Sequence, residues 1–360
     1  MPSPHFSVDL RTDTITRPSV AMRTAMAQAE VGDDAVDGDP TTKRLERTVA
    51  ELLGKESALF FPSGTMANLA AILLLSKPGT EVLIDAESHI ANWDLAGSAA
   101  FAGVGLRLVR PAGRVMIASD VRRAMRPDDA YGIHASLLCV ENTHNGNGGL
   151  ITTPTELREL QLLARDVGLP VHMDGARLWN ASVATGTPLS EFCQYADTVM
   201  VAFSKGLGAP VGAALAGGAA HMRRADDIRK RLGGGMHQSG ILAAAALYGV
   251  ENNLYRLEED HASARMFAEA VAGQGGVHVV PPETNIVMID LPYPMANDIV
   301  REAANAGVHL SAWTPSRVRG VTHLDAPVHL TAEAGRRVAS VLAQIFNSSL
   351  ASTLRLEAGS

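Results

Sequence analysis

Short apolar segments alternate with amphipathic ones along most of the chain. Seven apolar runs, each followed by polar or glycine-rich residues, have the length and composition of buried strands. They cover residues 58–61, 82–85, 106–109, 136–141, 170–174, 199–203 and 211–216. Apolar positions at helical spacing predict helices between them, most clearly over 66–75, 154–167 and 241–257. Strands that alternate with helices indicate an α/β fold with a wound, mainly parallel, seven-stranded sheet.

The pattern changes after about residue 260, where the helical and strand segments no longer alternate regularly. Strands over 285–291, 308–313 and 317–322 and a closing helix over 330–345 predict a smaller α+β domain. The first residues precede a helix that Pro18 begins, and we expect them to join this domain. The predicted organisation is an N-terminal segment (1–15), a large domain (16–260), a small domain (261–348) and a tail (349–360), of which we expect residues 352–360 to fray.

Composition excludes several classes of protein. The chain has 360 residues, 46% hydrophobic and 19% charged, which is typical of globular proteins and not of disordered ones. A net charge of -7 offers no basic face for nucleic acid. Apolar runs such as 69–75 are much shorter than the roughly 20 residues of a membrane-spanning helix, so no membrane partner is expected.

The N-terminus and the cysteines favour a cytoplasmic protein. Residues 1–10 contain neither the basic nor the apolar region of a secretory signal, so we expect no export. Cys139 and Cys193 lie in apolar contexts without metal-ligand spacing. We therefore expect two reduced core cysteines and no bound metal.

Two of the predicted strands end in residues that suit a cofactor with an aldehyde and a pyridine ring. Lys205 follows the strand at 199–203, beside Ser204 and a glycine-rich turn, and Asp174 ends the strand at 170–174. A strand-end lysine can form a Schiff base with an aldehyde, and a carboxylate on a parallel strand can keep a pyridine nitrogen protonated. For either residue alone, a surface lysine or a helix N-cap is the ordinary alternative. The pair, with the phosphate turn described next, indicates pyridoxal 5′-phosphate (PLP).

A strand, a tight turn and a helix are predicted over residues 60–68. Backbone N–H groups of Gly64 and Thr65 at the start of the helix suit a phosphate dianion. The alternative is that Ser63 or Thr65 only caps the helix. The segment is not a G-x-G-x-x-G fingerprint, which argues against a dinucleotide.

Further polar residues follow other strands. His89 comes after the strand at 82–85, where open α/β sheets bind ligands, and an imidazole there can stack on a pyridine ring and transfer protons. A purely structural histidine is the alternative. Arg177 suits a substrate carboxylate or a cofactor oxygen, with a surface ion pair as the alternative. Residues 141–147 can supply hydrogen bonds behind the site or simply reverse the chain.

In this order, the segments resemble those of the PLP-dependent threonine aldolase (β-eliminating lyase) family, which has the aspartate-aminotransferase-like fold of type I. The motifs lie at 9–14, 31–34, 38–41, 62–65, 141–146, 174–177, 204–208, 233–236, 238–240 and 321–325. The resemblance implies a carbon–carbon lyase that cleaves a 3-hydroxy-2-amino acid to glycine and an aldehyde by retro-aldol chemistry. It also implies a homotetramer, built as a dimer of dimers, with sites shared across the tight dimer.

The resemblance implies a role for individual residues. Lys205 would hold the cofactor covalently, Asp174 would partner its ring nitrogen and His89 would stack on the ring. The other implied cofactor contacts are Gly64, Thr65, Arg177 and Ser204. The implied substrate contacts are Thr12, His89, Trp93, Tyr131, Arg177 and Arg319, with Arg319 contributed by the small domain.

The chain departs from the family pattern at four places. A tyrosine lent by the neighbouring subunit is replaced by Val36, and the usual arginine after Gly-Gly-Gly-Met is His237. A histidine that faces the substrate hydroxyl falls at Tyr131, with His134 close enough to take its place if the loop is shifted. Trp93 fills an aromatic position. Because these changes make the side-chain pocket more apolar, we predict a preference for bulky or aromatic substrates over threonine.

Two alternatives use the same residues. A PLP lyase that performs β-elimination or transaldol transfer would need the same electron sink. A PLP-binding regulatory or scaffold protein without turnover is disfavoured by the carboxylate-binding arginines and by the lack of a basic face.

Overall fold

The computed structural model describes residues 6–127, 131–274 and 276–357, with side chains as far as residue 346. The chain forms two compact units, one of Thr16–Tyr255 and one that combines Met1–Ile15 with Arg256–Ser360. Among the described helices, none has the length and apolar character needed to cross a membrane.

The strands are short and spread over both units. In chain order they are β1 (Val8–Asp9), β2 (Ser57–Phe61), β3 (Glu81–Asp85), β4 (Gly105–Val109), β5 (Ala135–Glu141), β6 (Val171–Asp174), β7 (Thr198–Ala202), β8 (Ala213–Gly217), β9 (His278–Val279), β10 (Ile286–Asp290), β11 (Val308–His309), β12 (Ser311–Thr314) and β13 (Arg317–Val321).

The helices fill most of the chain between the strands. They are α1 (Val20–Ala27), α2 (Pro40–Leu53), α3 (Gly64–Leu75), α4 (His89–Asn92), α5 (Gly97–Ala102), α6 (Ala118–Ala124), α7 (Pro154–Asp166), α8 (Leu178–Thr185), α9 (Leu189–Cys193), α10 (Ala219–Arg231), α11 (Gly240–Asn252), α12 (Leu257–Val271), α13 (Ala296–Asn305) and α14 (Val328–Glu357).

A seven-stranded sheet in the order β2-β8-β7-β6-β5-β3-β4 forms the centre of the larger unit. Only β8 runs against its neighbours; the pairs β7–β6, β6–β5, β5–β3 and β3–β4 are parallel. The predicted α/β fold with a mainly parallel sheet is confirmed. Because β3, β5, β6 and β7 run the same way, the residues that follow them lie at one edge of the sheet.

Local sequence signals begin the helices that pack on this sheet. The Ser63 hydroxyl accepts the N–H of Met66 and caps α3, and Thr153 with Glu156 forms a capping box before Pro154 at the start of α7. The apolar residues of α3 then pack against side chains of β2, β7 and β8, including Phe61, Met200 and Leu215. The site described below lies at one end of this packed layer.

The smaller unit is built on a four-stranded antiparallel sheet in the order β12-β13-β10-β9, with β1 and β11 paired separately in parallel. Its core includes Phe267, Val287 and Val318. The N-terminal segment is tied to this unit because Asn285 donates to Asp13 at 3.1 Å and the N–H of Val321 donates to the carbonyl oxygen of Leu10 at 2.8 Å.

Three sequence predictions differ from the structure. The helix predicted over 241–257 is divided, since α11 ends at Asn252 and the side chain of Asn253 donates to the carbonyl oxygen of Leu207. The strand predicted over 308–313 is two strands, because β11 pairs with β1 whereas β12 pairs with β13. The closing helix continues beyond residue 345 to Glu357, through most of the predicted tail. The side chains from residue 347 onward and residues 358–360 lie outside the described part of the chain.

Candidate active site

Asp174 and Lys205 lie at the carboxyl ends of neighbouring parallel strands. Asp174 is the last residue of β6, and it pairs in register with Met200 of β7. After β7, Ser204 and Lys205 occupy a bend where the N–H of Gly208 donates to the carbonyl oxygen of Lys205 at 2.8 Å. Asp174 is buried, and Ser204 and Lys205 are half-buried. The sheet therefore brings the lysine and the carboxylate to the same edge.

The Asp174 carboxylate accepts hydrogen bonds at both oxygens. Oδ1 accepts the backbone N–H of Ala176 at 3.1 Å, and Oδ2 accepts the amide Nδ2 of Asn68 at 2.8 Å. Both donors are neutral, and a buried carboxylate is costly unless a cation also approaches it. The environment of Asp174 therefore fits a positively charged group such as a protonated ring nitrogen.

The start of α3 faces the same side of the unit. Gly64 and Thr65 are its first two residues, whose N–H groups have no partner within a helix. A Cβ on Gly64 would lie 3.3 Å from Cε of Met200, so the helix approaches β7 closely here. Thr65 donates its hydroxyl to Oδ1 of Asp94 at 3.3 Å. The turn has the backbone donors that an anionic phosphate needs.

His89 is the first residue of α4, and its ring is paired with a carboxylate. Nδ1 lies 2.8 Å from Oδ1 of Asp94, whose side chain is buried. After Asp94 the chain turns back through Leu95 and Ala96, whose φ angles of 51° and 57° fall in the left-handed region that non-glycine residues rarely adopt. Such strained turns often occur at functional sites.

The charge state of His89 follows from its neighbours. Burial lowers the pKa of the imidazole, but the hydrogen bond to Asp94 and the negative charges of Asp174, Asp94 and Glu141 outweigh burial, so the pKa is raised above its usual value. The imidazolium form is therefore stabilised, and a proton can be held on this ring.

Glu141 links His89 to the loop that holds Arg177. It ends β5; its Oε2 accepts the backbone N–H of His89 at 2.6 Å and its Oε1 accepts the backbone N–H of Asn145 at 2.8 Å. The side chain of Asn145 accepts Nη1 of Arg177 at 3.1 Å. Arg177 is buried, just before α8. One buried carboxylate therefore fixes the positions of both a histidine and, through Asn145, an arginine.

Comparisons with known proteins identify the family of the chain. Residues 9–293 match the family model described as beta-eliminating lyase. The chain belongs to the beta-eliminating lyase family. It is 40% identical over 326 residues to a probable low-specificity L-threonine aldolase 2 of Arabidopsis thaliana, covering 88% of this chain and 92% of that protein. It is also 40% identical to the low specificity L-threonine aldolase of Escherichia coli, over 94% of this chain and 100% of that protein.

Solved structures share the fold of this beta-eliminating lyase. The crystal structure of a putative L-allo-threonine aldolase from Listeria monocytogenes matches with a TM-score of 0.77 at 23% identity, covering 94% of this chain and 96% of that chain. The predicted family is thereby confirmed, together with a type I PLP-enzyme fold.

Two predicted substrate contacts of this beta-eliminating lyase lie in the smaller unit. Arg319 on β13 is buried and donates to the carbonyl oxygen of Arg11 at 3.2 Å, and its guanidinium lies 4.4 Å from the ring centroid of Trp313. Thr12 follows Arg11, with its hydroxyl 3.0 Å from that of Thr14. The unit therefore brings the segment of Thr12 to Arg319.

The positions where the chain departs from the family pattern are mostly exposed. Trp93 ends α4 with 51% of its surface exposed, and Val36 is 75% exposed. His237 pairs with Asp33 at 3.1 Å. All three positions lie in the larger unit.

Tyr131 is not brought together with the other predicted residues. It is fully exposed and precedes β5, whereas Asp174 lies at the carboxyl end of the neighbouring strand β6. His134, the alternative, is also exposed, and its carbonyl oxygen accepts the N–H of Glu81 at the start of β3. Both lie at the amino edge of the sheet, opposite Asp174 and Lys205.

Sequence reasoning missed Asn68, Asp94 and His172, and it left Glu141 without a definite role. All four are buried polar residues. Asn68 is a polar position in the otherwise apolar α3, and His172 interrupts an apolar strand. A polar residue at a position that the hydrophobic pattern buries is a signal that could have identified both, since such groups need a partner.

Proposed function

We propose that this chain is a PLP-dependent aldolase that cleaves 3-hydroxy-2-amino acids to glycine and an aldehyde. The observation that carries the proposal is the adjacency of β6 and β7, which presents Asp174 and the segment of Lys205 at one edge of the sheet. The name low-specificity L-threonine aldolase, borne by relatives about 40% identical over most of the chain, supports the same reaction.

The residues at this edge fit the cofactor. Lys205 supplies the amine for its aldehyde, Gly64, Thr65 and Ser204 supply donors for its phosphate, and buried Asp174 supplies the anion for its ring nitrogen. Bound PLP supplies an electron-withdrawing pyridinium ring that stabilises negative charge at the α-carbon of an amino acid.

The remaining residues orient the substrate. Arg177 binds the α-carboxylate, because a buried guanidinium held by the Asn145 amide is a fixed partner for a carboxylate. Arg319 and Thr12 are proposed as further carboxylate contacts. With the carboxylate fixed, the bond between the α- and β-carbons takes a defined orientation, which lowers the barrier to its cleavage.

His89 accepts the proton of the β-hydroxyl group. Because Nδ1 faces the Asp94 carboxylate, the neutral ring carries its proton on Nδ1 and presents a lone pair at Nε2. As Nε2 takes the hydroxyl proton, the carbon–carbon bond breaks and the aldehyde leaves; protonation of the α-carbon then gives glycine. Asp94 stabilises the imidazolium that forms.

Product analysis tests the reaction. The purified protein, loaded with PLP, is incubated separately with L-threonine, L-allo-threonine and phenylserine. Equal amounts of glycine and the matching aldehyde support aldol cleavage. Ammonia with a keto acid would indicate β-elimination, and no product from any substrate would contradict the proposal.

We also propose a homotetramer in the cytoplasm. Exposed apolar side chains on the larger unit, including Val36, Leu95 and Phe101, support burial against another subunit. Cys139 and Cys193 are buried and free, which supports a reducing compartment. Light scattering of the purified protein at micromolar concentration tests the tetramer; a stable monomer would contradict it.

A further inference from the structure

Four buried polar side chains form one continuous chain of hydrogen bonds that ends on Asp174. Oγ1 of Thr198 lies 2.9 Å from Nδ1 of His172, and Nε2 of His172 lies 3.1 Å from Oδ1 of Asn68. Nδ2 of Asn68 donates to Oδ2 of Asp174 at 2.8 Å. Each of the four residues is 2% exposed or less. The proposed chemistry assigns no role to the first three.

The direction of these hydrogen bonds is determined from the Asp174 end. A carboxylate can only accept, so Asn68 presents its NH₂ group to Asp174 and its carbonyl oxygen to His172. That oxygen can only accept, so His172 carries a proton on Nε2. Burial lowers the pKa of His172 to about 4, although the Asp174 charge opposes the change, so the ring is neutral near pH 7. Nδ1 then accepts from the Thr198 hydroxyl.

The fold supports this arrangement from three elements. His172 and Asp174 alternate on β6, so their side chains share one face of the sheet, and Thr198 of β7 pairs in register with His172. Asn68 comes from α3, one helical turn after Gly64. The helix whose first turn carries the proposed phosphate donors therefore also holds the carboxylate.

We propose that Asn68 and His172 are positioning residues that hold the Asp174 carboxylate directed at the cofactor ring nitrogen. A donor aimed at one carboxylate oxygen restricts its rotation. His172 acts through Asn68. Its Nε2–H donates to Oδ1 of Asn68, and this hydrogen bond prevents the Asn68 amide from turning its oxygen toward Asp174. The inference rests on the proposed cofactor site.

The test compares variants that differ in one hydrogen-bonding atom. Asn68→Leu removes the donor to Asp174, and His172→Phe removes both ring nitrogens. His172→Gln keeps an N–H close to the place of Nε2 and should retain function. Thr198→Val removes the hydroxyl at the far end, and Thr331→Val, at an equally buried threonine of the smaller unit, is its matched control. Asp174→Ala shows how much PLP affinity and kcat are lost when the carboxylate itself is removed.

Two measurements are made on each variant: the dissociation constant for PLP, by calorimetric titration of the apoprotein, and kcat and KM for glycine release. Loss of a hydrogen bond to a charged group should weaken PLP binding and lower kcat roughly tenfold in Asn68→Leu and His172→Phe. KM should change less than about threefold, since the carboxylate contacts remain. His172→Gln and Thr331→Val should resemble the wild type, and Thr198→Val should show a smaller loss than His172→Phe.

The inference is overturned if Asn68→Leu and His172→Phe, with melting temperatures near that of the wild type, bind PLP and turn over normally. It is also overturned if His172→Gln is as impaired as His172→Phe. If Asn68→Leu does not fold, the two His172 variants decide. Because PLP affinity is measured separately, a wild type without aldolase activity would sink the proposed function and leave this inference open to the same test.

Discussion

Nδ1 of His89 lies 2.8 Å from the buried Oδ1 of Asp94, so the histidine presents its other nitrogen to a ligand. Asp94 is not adjacent to any predicted strand or motif residue except Trp93; it follows α4, and the two residues after it, Leu95 and Ala96, are left-handed. Asp94 therefore fixes the tautomer of the proposed base and is one of the groups that raise its pKa.

The pH dependence of cleavage should follow this pair. His89 must be neutral to accept a proton, so kcat/KM should fall as the pH drops through its raised pKa. Asp94→Asn removes the hydrogen-bonded anion, which lowers the pKa of His89 and should move the acidic limb to lower pH; loss of imidazolium stabilisation should reduce the plateau roughly tenfold. The charges of Asp174 and Glu141 remain in the variant. The dependence of kcat/KM on pH is measured from pH 5 to 9 for the wild type, Asp94→Asn and the control Asp298→Asn, whose aspartate is exposed. If the acidic limb of Asp94→Asn coincides with that of the wild type, Asp94 does not tune His89.

Lys205 should carry the cofactor. The purified protein should be yellow, and Lys205→Ala should lose both the covalent linkage and turnover, because the amine is removed. Borohydride reduction followed by peptide mapping identifies the modified residue. Lys55 is a suitable control in the same unit: burial lowers the pKa of its amine, and its Nζ donates to the carbonyl oxygen of Ala196 at 2.6 Å. An adduct on Lys55 would refute the assignment.

Arg177 and Arg319 should bind the α-carboxylate. Replacing either with leucine should raise KM for the amino acid roughly tenfold or more, since a charge-assisted hydrogen bond is lost, and should change PLP affinity little. Asn145→Ala should give a smaller effect of the same kind, because it removes only the partner that holds Arg177. Loss of PLP with unchanged substrate affinity would mean that the arginines serve the cofactor instead.

The substrate side chain should be bulky. From Val36 and Trp93 we expect a higher kcat/KM for phenylserine than for threonine, with His89 as the principal base. The exposed place of Tyr131 before β5 favours a small effect of Tyr131→Phe. The values for both substrates are measured in the wild type, Tyr131→Phe and His134→Ala. A preference for threonine, with only His134→Ala impaired, would reverse the prediction.

Glu46 should make stability depend on pH. Desolvation raises the pKa of its carboxyl to about 7, although the Phe60 N–H, 2.7 Å from Oε1, and the Arg229 charge oppose the change. A raised carboxyl pKa stabilises the protonated form of the folded state, so that stability is lost as the pH rises through about 7. Glu46→Gln keeps an acceptor for Phe60 without the charge. The melting temperature of Glu46→Gln minus that of the wild type is measured at pH 6 and at pH 8, and this difference should be roughly 2–4 °C larger at pH 8. The same difference at both pH values would exclude the effect.

Much of the fold followed from local sequence. The apolar runs of β3, β5, β6 and β7 and the caps Ser63 and Thr153 act over a few residues, so strands, helix starts and the α/β class were predictable. The helix over 241–257 was not, because its interruption depends on Asn253 reaching Leu207, a contact distant in sequence. The prediction of one strand over 308–313 was wrong for the same reason: its two halves, β11 and β12, pair with distant strands in different sheets.

For the site, the sequence by itself determined which chemistry is possible: Lys205, Asp174 and His89 follow apolar strands, and strand ends are where α/β sheets hold ligands. Only the tertiary structure decided which groups act together. Asn68, His172 and Thr198 come from α3, β6 and β7. Glu141 accepts the backbone N–H groups of His89, far before it in sequence, and of Asn145, which follows it. Hydrogen bonds between elements depend on sheet register and helix placement, which no local pattern encodes. The parallel run of β5 and β6 separates Tyr131, before β5, from Asp174, at the end of β6, although the family resemblance had grouped them.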